Sequence, residues 1–485
     1  MARTQILRAA AAAAACLTAG AHAQPPADTP PMLAPPSILS ESAVGAAYAT
    51  PPNPSGASGS PLSMRAAVDQ AVNWHPLLRN ARGQLLQATQ GIETARSGYY
   101  PNVSAGVNAR NSNHTIGDTD SRHERRAEIQ ISQVLYDFGK VGSEVDQATA
   151  ASGAARAQVL QTFDQVILNT AAAWIEVSRN EALLKVAREQ AEVLATLSQR
   201  VQERDEKGAG TSSDTAQARA RVDAARAALL TAQSQVRLWR TTLMYWTGSA
   251  TPPGITGAPA PALAGACRAG AAALTVGGAE ATLQSSAAVQ LAQAQLEVAR
   301  AGLALADAQM KPTLSLTGST GRRLGGSDGR DDGRNLDASI MLNFSVPLYQ
   351  GGRLQSGRQA AGYGVGAARA ALDQARLNTS QGWESATLQW LKFSGRLDVQ
   401  AARQKNMDIT RTLYRDQYLQ LGTRSLLDLL NAEQEYYASL NDQIESEHEM
   451  VRLDAECLYY TGRLRDAFET GGAVARTVAA PDTLQ

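Results

Sequence analysis

Leu421-Gly422-Thr423-Arg424-Ser425-Leu426-Leu427-Asp428-Leu429-Leu430-Asn431 sets a glycine break between two long runs of helix-forming residues. No proline interrupts the chain from Gly352 to Leu421. Downstream, Leu430, Tyr437, Ile444, Val451 and Leu458 recur at seven-residue spacing, the mark of a coiled-coil seam. The stretch is therefore read as the tip of a hairpin of two very long helices. The same punctuation occurs about 214 residues earlier, where Gly208-Ala209-Gly210-Thr211-Ser212-Ser213-Asp214 precedes Val222, Leu229, Val236 and Leu243. Gly208 matches Gly422 and Asp214 matches Asp428. Leu243-Met244-Tyr245-Trp246-Thr247-Gly248 lies over Cys457-Leu458-Tyr459-Tyr460-Thr461-Gly462 at the same offset, so the chain is two copies of one unit.

Working outward, the division is a first repeat over 62–250, a linker over 251–270 and a second repeat over 271–466. A C-terminal tail follows over 467–485. Each repeat carries a β-hairpin ahead of its long helix. In the first, Val103, Ala105, Val107 and Ala109 alternate with polar neighbours, and Ala127, Ile129 and Ile131 return toward Leu135-Tyr136-Asp137-Phe138-Gly139. In the second, Leu314 and Leu316 lead into a loop of Gly, Arg and Asp, and Ala338, Ile340, Leu342, Phe344 and Val346 return. Prolines are absent between Pro101 and Pro252 and again between Pro347 and Pro481. The helices from about Lys140 to Lys207 and from Arg353 to Leu421 are thus about 65 residues and roughly 100 Å long at 1.5 Å per residue. Such helices belong to an extended coiled coil or a tube.

The 485 residues carry 45 Lys+Arg against 45 Asp+Glu, so nothing in the charge points to nucleic acid. Arg3 and Arg8, the apolar Ala9–Thr18 and the small residues Ala21-His22-Ala23 read as a secretory signal peptide over 1–23, cut before Gln24. Ala13-Ala14-Ala15 before Cys16 lacks the leucine-like residue of a lipidation site. The Pro-rich segment 24–61 has no periodicity and reads as a disordered tail. Cys267 and Cys457 remain in the exported chain, either paired or as two free thiols. Past residue 24 no apolar run approaches the ~20 residues of a membrane-spanning helix.

Four strands of eight to eleven residues are long enough to cross an outer membrane when tilted, but too few to close a barrel, because the smallest have about eight. A spanning sheet with open edges would leave N–H and C=O groups unpaired in lipid. Several chains must therefore share one barrel, and two, three or four copies satisfy the strand count equally. The competing reading is a soluble four-stranded sheet packed on helices.

In the order, spacing and duplication of these elements the chain resembles the TolC family of outer-membrane efflux proteins, over Leu62 to about Arg465. The resemblance implies a trimer with a twelve-stranded outer-membrane β-barrel continuous with a periplasmic α-helical barrel. It implies an adaptor protein and an inner-membrane ABC or proton-driven transporter as partners, and a conduit with no cofactor and no catalysis. By the same resemblance Asp428 and Asn431 fall on the two constriction positions one helical turn apart, where most of the family carries two acids. The collar should be weaker here. Arg424, Asp214 and Ser213 fall on a closed-state lock, with Tyr418 one residue out of register. The plainer readings are a solvated or capping Asp428, a helix-capping Arg424 and a packed Tyr418. Leu135–Lys140 looks more like the type I secretion branch than the drug-efflux branch.

Other chemistry finds no support. His114 and His123 share a loop without further ligands, no nucleophile, His and acid stand in a recognisable arrangement, and Gly325-Gly326 and Gly351-Gly352 are turn residues. Trp174, Trp239, Trp383 and Trp390 read as packing residues, and Tyr136 and Tyr349 as an interfacial girdle. A soluble periplasmic coiled-coil adaptor or scaffold is the alternative function, and a ligand-specific porin would need more strands per chain.

Overall fold

A computed structural model describes residues 61–112, 122–270, 283–323 and 336–478. They all lie in one of the two compact units into which the chain divides, Pro52–Gln485. The segment read from sequence as a signal peptide, nearly all of the Pro-rich segment, His114, Gly325-Gly326 and the last seven residues lie outside them.

The first repeat opens with α1 (Met64–Trp74) and α2 (Pro76–Arg96). Ser63 caps α1 by accepting from the Ala66 N–H. Pro76 then forces the chain out of helix at His75, whose Nδ1 accepts from Leu77 N at 3.3 Å and starts α2. Strands β1 (Asn102–Ser112) and β2 (Arg122–Tyr136) pair antiparallel. His123 stands in β2 opposite Asn111, so it is a strand residue and not a loop partner of His114. At the strand-to-helix junction the Asp137 carboxylate accepts from Gly139 N and Val141 N at 3.0 and 2.6 Å, and α3 (Lys140–Glu206) runs unbroken for 67 residues. Gly208 turns the chain at φ +73°, and α4 (Ser212–Thr247) returns.

The second repeat follows the same order: α5 (Ala287–Ala308), β3 (Thr313–Arg323), β4 (Leu336–Ser345), α6 (Arg353–Asp416), a tip at Gly422, and α7 (Leu426–Tyr460). Here the sequence-based expectation needs one correction. The long helix is not α-helical to Leu421, because Gln417–Leu421 forms a single π-helical turn.

The strands make one antiparallel sheet in the order β1-β2-β3-β4. Both outer strands keep an edge with no partner among the described residues. Val103, Val107, Ile340 and Phe344 are 60% exposed or more, and every residue of β4 is exposed. Among the described residues no core covers the apolar face. The helix-packed sheet of the competing reading is not what the described residues form.

The helices hold the cores. The largest joins α1, α2, the middle of α3, the end of α4 and the end of α7 around Phe163, Ile167, Trp174 and Leu243. Trp174 is fully buried and donates to Leu62 O at 2.9 Å; Trp383 and Trp390 are buried too. Gly248 (φ +70°) and Gly462 (φ +69°) end α4 and α7, where a Cβ would stand 2.2 Å from Trp74 and 2.1 Å from Ser285 O. These matched positions need glycine on both counts. Within the C-terminal segment, residues 467–478 are ordered on the body of the chain: α8 (Leu464–Ala467) and α9 (Gly471–Val478) pack on the main core, with Leu464 and Phe468 buried. Cys267 and Cys457 form a disulfide that ties the linker to α7, beside Asp454, which accepts from Cys267 N and Gly265 N.

Candidate functional site: the paired helix tips

The two tips share one apolar cluster. Leu194, Leu197 and Val201 of α3, Ala218 and Val222 of α4, and Leu426, Leu429 and Leu430 of α7 enclose Tyr418. On this base the polar residues are placed.

Each returning helix starts with a side-chain cap. Thr211 Oγ1 accepts from Asp214 N at 3.1 Å and Ser425 Oγ from Asp428 N at 3.2 Å. Asp214 and Asp428 thereby sit in first turns, where the helix dipole favours a carboxylate. Asp428 is half-exposed, and Asn431, one turn on, is exposed beside it. Glu435 continues the same exposed face.

The lock residues divide. Arg424 is satisfied within its own tip: its guanidinium lies 3.6 Å from the Asp428 carboxylate, 3.3 Å from Gln417 Oε1 and 4.3 Å over the Tyr414 ring. It does not meet Asp214 inside one chain. Tyr418 and Asp214 are brought together, since Asp214 adds to the burial that pushes the Tyr418 hydroxyl above its ordinary pKa, against the opposing charge of Arg204. Ser213 is exposed, and its side chain makes no hydrogen bond among the described residues.

Two features were not anticipated. Arg204, near the end of α3, places its guanidinium 5.1 Å from the Tyr418 ring centre and donates to Tyr418 O and Leu419 O at 3.1 Å each and to Ala209 O at 3.3 Å. A signal existed, because the repeat offset that matches Gly208 to Gly422 matches Arg204 to Tyr418. Glu433 on α7 is fully buried between Arg411 and Arg415 of α6, and Arg411 also lies 3.5 Å over the Tyr436 ring. Its signal is a carboxylate at helical spacing within the apolar row Leu426, Leu429, Leu430, Tyr437.

Among the described residues no group of three or more His, Cys, Asp and Glu could hold a metal ion, and no helix is long and apolar enough to cross a membrane. Long paired helices, capped tips and an open apolar sheet are the parts from which a duct is built.

The chain belongs to the outer membrane efflux protein family, whose model matches residues 67–249 and 279–455. Members of that family are exit ducts of the outer membrane. The chain is 26% identical over 423 residues to the outer membrane efflux protein BepC of Brucella suis, covering 84% of this chain and 88% of that protein. It is 27% identical over 162 residues to the alkaline protease secretion protein AprF of Pseudomonas aeruginosa, a third of each chain. The fold is that of the outer membrane protein VceC of Vibrio cholerae, with a TM-score of 0.71 at 19% identity over 82% of this chain and 96% of that one.

Proposed function

We propose that three copies of this chain close a twelve-stranded barrel in the outer membrane and continue it as a helical tube into the periplasm, gated at the tips. The observation that carries this reading is the four-stranded sheet with two open edges and an apolar face that nothing among the described residues covers. Tyr100, Tyr136 and Tyr349 are exposed where sheet meets helix, positions suited to a lipid-interface girdle. At the other end, Asp428 from each copy would form a ring of three carboxylates, weakly cation-selective because Asn431 is neutral. The tips would receive an adaptor protein, which joins the duct to an inner-membrane ABC or proton-driven transporter.

The cargo readings are efflux, supported by likeness to BepC over most of both chains, and type I protein secretion, supported by AprF and by the Leu135–Lys140 junction. The test is planar-bilayer recording of the purified full chain with carbonate extraction of membranes. The duct should resist carbonate, run as a trimer and conduct with a cation preference that Asp428→Ala reduces. A carbonate-soluble, non-conducting monomer would sink the reading, and unchanged selectivity in Asp428→Ala would remove the collar alone.

A further inference from the structure

The interval from the helix-starting Gly139 to the tip Gly208 is one residue shorter than that from Gly352 to Gly422, although all four glycines hold the same left-handed turns. The second repeat thus carries one extra residue, and the π-helical turn at Gln417–Leu421 is where it is absorbed. This changes how the helix end is capped. In the first repeat Ala209 N donates to Arg204 O at 2.8 Å. In the second, the matching Thr423 N reaches past the matching carbonyl, Tyr418 O, to Gln417 O at 3.1 Å. Tyr418 O is left without the cap that its counterpart enjoys. The side chain of Arg204 supplies it, bridging Tyr418 O and Leu419 O while holding Ala209 O of its own tip.

We propose that Arg204 is a latch that holds the second-repeat tip against the first through main-chain carbonyls which the π-turn exposes, in addition to any contact between neighbouring copies. The latch rests on the gated-duct reading. It is specific to backbone geometry: a guanidinium can bridge two adjacent carbonyls and stack on Tyr418 at once, and an ammonium cannot. Opening the tip requires these charge-assisted bonds to break, so the π-turn sets the free energy of the closed state.

The test is single-channel recording of the full-length trimer carrying Arg204→Gln, Arg204→Lys, deletion of Gln420, and Arg204→Gln combined with that deletion. Each single change should raise open probability about ten-fold, the shift that one charge-assisted hydrogen bond supports. The combination should open no further than either alone, because both remove the same contact. Multiplying effects, or an Arg204→Lys channel as tight as the unaltered one, would overturn the latch. Arg424→Ala separates the two readings: leak in that variant with none in Arg204→Gln defeats the latch and leaves the duct, whereas an unaltered protein that never conducts defeats the duct.

Discussion

Asp164 on α3 has no exposed surface, and its nearest cation is Arg465, with Nε 3.1 Å from Oδ1. Burial pushes its carboxyl up to about 7, Arg465 opposes this, and Asp466 adds to it. Unfolded, the group loses its proton near 3.8. Between these values the folded chain holds the extra proton, so stability falls as pH rises from about 4 through 7, by a few kcal/mol at most. Asp164→Asn should therefore flatten the dependence of the apparent melting temperature between about pH 4 and 7, measured by circular dichroism in detergent. An identical slope in the variant would place the titration elsewhere. The acid was not legible from its surroundings in the chain, because Arg465 lies some 300 residues away and their meeting is a product of folding.

At the level of elements, the seam positions, turn glycines and helix ends could be read because each follows from local periodicity or local backbone need. The π-turn could not. Interval lengths reveal one extra residue in the second repeat, but where a helix stores it depends on which hydrogen bonds the tip can rearrange. The pairing of α6 with α7 also turned on a residue that periodicity misplaces, since Glu433 stands in an apolar row yet is neutralised by Arg411 and Arg415. Glu433→Ala would leave two cations facing a closed, partly desolvated seam. Loss of a buried pair costs about 3–5 kcal/mol, and with Arg415 still 36% exposed the lower end applies. The expected outcome is a lower melting temperature and faster trypsin cleavage near the tip of α6. Unchanged proteolysis would show that the seam does not depend on the pair.

For the whole molecule, the Cys267–Cys457 bridge closes 190 residues of sequence and fastens the linker between the repeats to the second hairpin. A loop of that length implies about 5 kcal/mol of stabilisation in the chain-entropy account. Because the bond lies in the cluster of Trp383, Trp390 and Leu453, away from the tip cluster, Cys267→Ser with Cys457→Ser should lower thermal stability and leave pore conductance as it was. A change in gating would instead couple the linker to the tips. Closure of the sheet belongs to this scale as well, since no described residue of one chain supplies partners for the outer edges of β1 and β4.

By itself the sequence determined the duplication, the order of hairpins and long helices, and the need for copies to share a sheet, because periodicity and glycine placement act over a few residues and leave a local trace. Only the tertiary structure decided that the two cysteines pair, that Arg204 serves Tyr418 O, that Arg424 stays within its own tip, and that residues 467–478 dock through two short helices. Those contacts, apart from the tip's own, join residues far apart in sequence, and no local pattern records which distant atom a side chain will meet.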